Sequence, residues 1–190
     1  IGSNAMLIEY GSGSLEKIRI LLDALETPKM YVPVDISERQ LIRAAGCLRN
    51  AYPELIVAPI VTDFTAPFVL PSTPETVCSR VAFFPGSTIG NFDPEPAKRL
   101  LSSISDTVGH GGGLLIGIDL KKDADLLISA YDDKSGITEA FNKNLLVRIN
   151  RELGGDFSLD DFHHVARFNS DYGRVEMHLE SLVDQTVAVD

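Results

Sequence analysis

The sequence predicts an α/β fold, a mostly parallel sheet with a C-terminal antiparallel hairpin. Three observations carry this. Short apolar runs alternate with helix-length amphipathic segments up to Leu120, the rhythm of βαβ units. The first run closes on a glycine turn, Gly11-Ser12-Gly13, directly ahead of a helical pattern. After Leu120 the rhythm changes, and two alternating segments flank the turn signal Asp171-Tyr172-Gly173.

The elements follow in order. Residues 6–10 read as a strand and 15–25 as a helix, with Leu15, Ile18, Leu22 and Leu25 at helical spacing. Residues 30–35 are a second strand. Ser37 reads as the N-cap of the next helix, with Gln40 completing a capping box and Leu41, Ala45 and Leu48 as the buried stripe. Residues 55–61 are a third strand and 80–84 a fourth. Asp93-Pro94, a cap followed by proline at the first helical position, opens a helix to about Ser105. Gly111-Gly112-Gly113 turns the chain into a fifth strand, 114–120. The apolar runs 81–84 and 114–118 suit strands covered on both faces. Residues 124–131 and 138–153 read as helices, the second with Phe141, Leu145, Ile149 and Leu153 on one face. Residues 164–169 and 174–182 are expected as a hairpin on the sheet edge.

Ile1-Gly2-Ser3-Asn4-Ala5 reads as an expression-tag remnant and is set aside, leaving 6–190 as one domain. A chain of 190 residues is long enough to bury a sizeable core. No apolar run approaches the ~20 residues of a membrane span, and no secretory signal is visible. A net charge of −10 argues against a nucleic-acid partner, whose phosphates need clustered Lys and Arg. Cys47 and Cys78 are widely spaced and read as free thiols of a reduced cytoplasm. The expectation is a cytoplasmic protein with a small-molecule partner and no membrane.

Four features fall at the carboxyl ends of successive strands: Gly11-Ser12-Gly13, Asp35, Asp63-Phe64 and Pro85-Gly86-Ser87-Thr88. Ligands of open α/β sheets bind at that edge. The glycine turn lets backbone approach a ligand closely. Asp35 can accept from both hydroxyls of a ribose, and Asp63 from an adenine amino group, with Phe64 or Ile36 packing on the ring. Each also has a plain structural reading, as a turn, a helix cap or a strand end. The dinucleotide fingerprint wants a third small residue where this chain has Glu16, and a carboxylate there repels a pyrophosphate. S-adenosylmethionine carries no phosphate, and its cationic sulfonium and amine suit an acidic pocket containing Glu9. The residues therefore favour S-adenosyl-L-methionine over NAD. No G-x-x-x-x-G-K-[ST] P-loop occurs. An NAD-binding oxidoreductase and a non-catalytic, self-associating Rossmann domain are the competing readings.

Asn91 lies in a second dense patch, Phe83 to Phe92, and offers an amide able to orient an amine or carboxylate. A third patch is Ala130-Tyr131-Asp132-Asp133, followed by the segment from Gly136 to Asn142. The segments EYGSGSLEK, YVPVDIS, TDF, FFPGSTIGNFDP, GIDLKKD, AYDD, ITEAFNKNLLVRINRELGGDF and HVARFNS resemble the histidine-specific, S-adenosylmethionine-dependent methyltransferases of ergothioneine biosynthesis. The resemblance runs from Leu7 to about Glu180. It implies a Rossmann-like class I methyltransferase fold. It further implies that Gly11 and Lys17 contact the cofactor, that Asp35 holds its ribose and Asp63-Phe64 its adenine, and that Asn91 and Tyr131 hold the amino-acid end of the substrate. Thr138 and Met177 are weaker candidates for the pocket wall, with a helix start and a buried strand residue as their structural readings. The implied reaction is stepwise trimethylation of the histidine α-amine to hercynine, with no catalytic side chain assigned. The family also carries an N-terminal helical region and further C-terminal strands. This chain starts at the first strand and stops soon after the hairpin, which makes it resemble a member truncated at both ends, expected to bind cofactor with little turnover.

His163-His164 suggests a metal, but adjacent strand residues face opposite sides and no Cys or third His is near. No metal is expected. Ser14, Ser87 and Thr88 lack His and Asp partners, and G-x-S-x-G is absent. Asp132-Asp133 is expected to fix the loop carrying Tyr131.

Overall fold

A computed structural model of the chain describes residues 1–13 and 15–190. Ser14, weighed above as a nucleophile, lies outside them. The chain divides into two compact units, Ile1–Asp119 and Leu120–Asp190. The boundary falls where the sequence rhythm changes.

The first unit contains β1 (Ala5–Tyr10), α1 (Leu15–Ala24), β2 (Met30–Asp35), α2 (Glu38–Ala51), β3 (Ile56–Val57), β4 (Ile60–Val61), β5 (Ser79–Phe84), α3 (Pro94–Val108) and β6 (Gly113–Ile116). Its strands pair in parallel in the order β3-β2-β1-β5-β6, with β4 also on β2. Every residue of β1 is buried, as a central strand covered on both faces requires. The alternation of its side chains builds two cores. Met6, Ile8 and Tyr10 join Met30, Val32, Val34, Ala82 and Phe84 with Leu100 and Ile104 of α3. Leu7 joins Tyr31, Val81 and Phe83 with Ile18 and Leu22 of α1 and Ala45 and Leu48 of α2. Truncating a central member such as Ile8 to Ala costs about 2–5 kcal/mol.

Several expectations are corrected. Ala5, set aside as a tag residue, opens β1 fully buried and opposite Ser79. Asn4 donates from its N–H to the Thr27 carbonyl and accepts from the Cys78 N–H. Main-chain pairing, which is indifferent to origin, draws Ala5 into the sheet and ties Asn4 down just ahead of it. The third strand is broken into β3 and β4 because Pro59, lacking an N–H, interrupts the ladder. The last parallel strand stops at Ile116. Double-sided cover holds for Val81, Ala82, Phe83 and Phe84 but not for Leu114 and Leu115, which are exposed on an edge strand. The capping box is absent. Ser37 precedes α2 without a side-chain capping bond, and the Gln40 amide donates instead to the Gly13 carbonyl (2.9 Å). Pro94 takes the first position of α3 as expected.

The second unit contains α4 (Ala124–Tyr131), α5 (Ile137–Glu152), β7 (Phe162–Asn169) and β8 (Arg174–Ser181). β7 and β8 form their own antiparallel two-stranded sheet, turning at Gly173 (φ +63°). The expected placement on the edge of the parallel sheet is therefore corrected. The hairpin finds its cover within its own unit, under α4 and α5. The expected apolar face of α5 is not the buried one. Phe141 is 70% exposed, and Leu145 and Leu153 are exposed too, while Leu146 is buried and Asn142 bonds into the hairpin. Among the described residues no helix is long and apolar enough to cross a membrane.

Candidate cofactor and substrate sites

Parallel pairing gathers the carboxyl ends of β1, β2, β4 and β5 on one edge of the sheet. Gly11 starts the turn after β1 at φ +78°, a left-handed conformation glycine adopts without strain. Its N–H donates to the Val34 carbonyl (2.9 Å), tying the turn to the end of β2. The Gln40 amide holds the Gly13 end of the same turn.

Below the turn lies a buried polar group that the sequence reading placed in the pocket itself. Glu9 is 2% exposed, and its carboxyl accepts a hydrogen bond from the Tyr31 phenol. Ser12 Oγ is 3.2 Å from that phenol. Burial pushes the Glu9 carboxyl up to about 7, against the opposing pull of the Tyr31 and Ser12 hydrogen bonds and the Lys17 charge. Burial likewise pushes the Tyr31 phenol up, with the Glu9 charge adding to it. The pairing was latent in the pattern: Leu7 stands opposite Tyr31, and strand alternation puts Glu9 on the same face.

Asp35 Oδ1 accepts from the Ser37 N–H (2.8 Å), which starts α2. Its Oδ2 makes no hydrogen bond among the described residues. Ile36 beside it is 73% exposed, an apolar surface at the same edge. Asp63 Oδ1 accepts from the Thr65 hydroxyl (2.7 Å) and N–H (2.8 Å), which hold its carboxyl below the usual range. Asp63 is itself exposed. The Phe64 ring is half-buried, edge-on to Tyr10 (6.0 Å) and Phe84 (5.9 Å). It also backs the glycine turn, since a Cβ on Gly11 would lie 3.5 Å from Phe64 Cε1. Gly11, Asp35, Asp63 and Phe64 thus stand at one sheet edge.

Lys17, in the first turns of α1, reaches the loop after β5. Its Nζ lies 3.1 Å from where a Cβ on Gly86 would be. Glu16 is exposed in the first turn of α1, the place at which it opposes a pyrophosphate. In the β5 loop Gly86 (φ +74°) and Ser87 (φ +58°) are left-handed. Ser87 Oγ accepts from the Asp119 N–H (2.9 Å) and the Thr88 hydroxyl donates to the Pro85 carbonyl (3.2 Å), so both hydroxyls hold the loop. A one-turn 3₁₀ helix, Thr88–Asn91, then presents Asn91 exposed, its amide making no hydrogen bond among the described residues.

In the second unit Tyr131 ends α4 with its side chain exposed. Asp133 follows and caps α5, Oδ1 accepting from the Thr138 N–H (2.8 Å) and Oδ2 from the Ile137 N–H (3.1 Å). Hydrogen bonds from Thr138 and Ile137 hold its carboxyl at about 2. Fixing the loop after Tyr131 is thus the work of Asp133. Thr138 lies in the first turn of α5, and Met177 is 37% exposed rather than buried in its strand. His164 is buried with both ring nitrogens partnered, and His163 is exposed. Among the described residues no three His, Cys, Asp or Glu side chains form a metal-binding group. A groove of about 630 Å³ lies elsewhere, between Phe68 and the Arg99 and Thr107 positions of α3. That groove is lined by neither Asp35 nor Asp63.

All of the chain, residues 1–190, matches the family model described as "Histidine-specific methyltransferase, SAM-dependent". It is 43% identical over 186 residues to the histidine N-alpha-methyltransferase of Mycolicibacterium smegmatis, and 41% identical over 186 residues to that of Mycobacterium tuberculosis. Each alignment covers 96% of this chain and 57% of the relative. Identity to ergothioneine biosynthesis protein 1 of Schizosaccharomyces pombe is 30% over 189 residues, covering 95% of this chain and 24% of that protein. The chain therefore spans little more than half the length of its bacterial relatives.

Proposed function

The chain belongs to the SAM-dependent, histidine-specific methyltransferase family, and on that premise we propose that the protein carries the methyl group of S-adenosylmethionine to the α-amine of histidine, with hercynine as the product of three rounds. The observation that carries the cofactor half is Asp35, whose second carboxylate oxygen stands open at the sheet edge beside exposed Ile36. In this reading Asp35 holds the ribose. Asp63 accepts from the adenine amino group while Ile36 and Phe64 give the ring an apolar flank, and Gly11 and Lys17 line the cofactor's remaining length. Asn91 and Tyr131 hold the amino-acid end of the substrate. Exposed Glu16 and family membership both count against an NAD-dependent oxidoreductase. The net charge of −10 supports a small-molecule partner over nucleic acid, and the proposed setting is ergothioneine biosynthesis in the cytoplasm.

Bound S-adenosylmethionine supplies an electrophilic methyl on a sulfonium. The residues of this chain orient the acceptor. An ammonium has no lone pair, so the substrate amine must first lose a proton. The neutral Asn91 amide orients that amine without the ion pair that would hold it protonated. Alignment of this kind contributes about 7–11 kcal/mol of a displacement barrier. We assign no general base, and the proton passes to solvent.

The test is calorimetric titration with S-adenosylhomocysteine and with NAD, alongside mass spectrometry of histidine incubated with S-adenosylmethionine and the full-length protein. Binding of S-adenosylhomocysteine alone, with successive methyl additions on the α-amine, is the expected result. NAD binding, or methylation confined to the imidazole, overturns the reading.

A further inference from the structure

We propose that His164 is a positioning residue for the amino-acid substrate, acting through Tyr131; this rests on the reading that Tyr131 contacts the substrate. His164 stands on β7 and is 2% exposed. Its Nε2 lies 2.8 Å from the Tyr131 carbonyl oxygen, and its Nδ1 lies 3.0 Å from Asn142 Nδ2. A carbonyl oxygen only accepts, so Nε2 carries the proton and donates. Asn142 Nδ2 also lies 3.1 Å from the His178 carbonyl, which likewise only accepts. That second bond fixes the orientation of the Asn142 amide, so Nδ1 is the acceptor and the ring is neutral.

The result is a directed chain through one packed unit, in which the amide of α5 is braced on β8, donates to the imidazole of β7, and the imidazole donates to the last residue of α4. The final carbonyls of a helix have no partner inside it, and His164 supplies one at the residue whose side chain faces solvent. Two residues on, Asp133 fixes the chain again through the N-terminus of α5. His164 and Asp133 thus anchor the main chain at and just after Tyr131, the base from which its exposed ring projects. With both nitrogens of His164 engaged, neither is left for a metal.

Two variants separate the nitrogens. His164→Asn keeps a group near Nδ1 and loses the donor to Tyr131. His164→Gln keeps a donor near Nε2 and loses the acceptor for Asn142. In the full-length protein, His164→Asn should raise KM for histidine about tenfold, and His164→Gln by no more than about threefold. Affinity for S-adenosylhomocysteine should be unchanged in both. Equal rises in KM, or no rise in either, overturn the proposal. Tyr131→Phe is measured in parallel. If it leaves KM unchanged, the substrate reading of Tyr131 fails; if it raises KM while the His164 variants do not, only the positioning role fails. In the wild-type protein, ¹⁵N NMR should show a neutral imidazole protonated on Nε2, and an Nδ1–H tautomer or an imidazolium overturns the proposal without depending on any variant's folding.

Discussion

The Tyr31 phenol donates its hydrogen bond to the Glu9 carboxyl on the sheet face that carries α1 and α2. The pair lies below the turn that opens the cofactor edge, and Ser12 of that turn reaches the same phenol. A buried acid is thereby coupled to the stability of the turn.

Glu9 gives the fold a pH signature. Its carboxyl keeps its proton to about pH 7 in the folded chain, against 4.5 for an ordinary glutamate. Between those values the unfolded chain binds fewer protons than the folded one. The contribution is complete below about 4.5 and is lost as pH rises to about 7. The difference corresponds to about 3 kcal/mol. Urea unfolding of wild type and Glu9→Gln across this range should show the wild type losing stability relative to the variant, which cannot ionise. A difference independent of pH would remove Glu9 as the cause.

Asp35 separates a helix-starting role from a ligand role. Asp35→Asn can keep the acceptor for the Ser37 N–H while turning the open oxygen into a donor. Calorimetry should show S-adenosylhomocysteine affinity falling about ten- to a hundredfold, with the thermal midpoint close to wild type. Asp35→Ala should lose both. Wild-type affinity in Asp35→Asn would leave the residue a purely structural one.

Lys17 and Gly86 should be energetically coupled. A methyl group at Gly86 meets Lys17 Nζ at 3.1 Å, at a left-handed backbone position that costs an L-residue about 1–2 kcal/mol. Gly86→Ala, Lys17→Met and the double variant form a cycle read by S-adenosylhomocysteine affinity. A coupling of at least ~0.5 kcal/mol is expected. Strict additivity would mean that the ammonium and the loop act independently.

Gln40 distinguishes a tertiary bond from a cap. Within a capping box, Glu serves as well as Gln. In this structure the side chain must donate to the Gly13 carbonyl, which a carboxylate cannot do. Gln40→Glu should therefore lower S-adenosylhomocysteine affinity and cost up to about 1 kcal/mol in thermal unfolding. Wild-type behaviour of Gln40→Glu would restore the local role.

The parts of the fold legible in the sequence are those set by local pattern. The apolar run of β1, the spacing of Ile18 and Leu22, and Pro94 at the start of α3 all lie where periodicity and backbone chemistry put them. The partner of Gln40 is remote in sequence, and the local pattern fits a cap equally well. On α5, periodicity reveals an apolar stripe but not which side the hairpin covers: Phe141 of that stripe is exposed, while Asn142 and Leu146 face inward. The strand-end positions of Asp35, Asp63 and Gly11 were legible because parallel topology fixes them. The bonds made by Glu9 and His164 were not, since each joins separate elements through side chains whose burial only the fold decides.

The break at Pro59 makes the third strand two separate rungs on β2. β3 is indexed to Met30 and Tyr31, while β4 is indexed to Val34 and Asp35. The spacing between Asp35 and Asp63 is thus written by the rung Asp35 to Val61 and the two residues after it, not by the strand as a whole. A length change at Ala58-Pro59 would be absorbed in the break. The same change after Val61 would move one carboxylate against the other, which makes that short stretch the ruler of the distance between Asp35 and Asp63 and, on the proposed reading, of the cofactor span they hold.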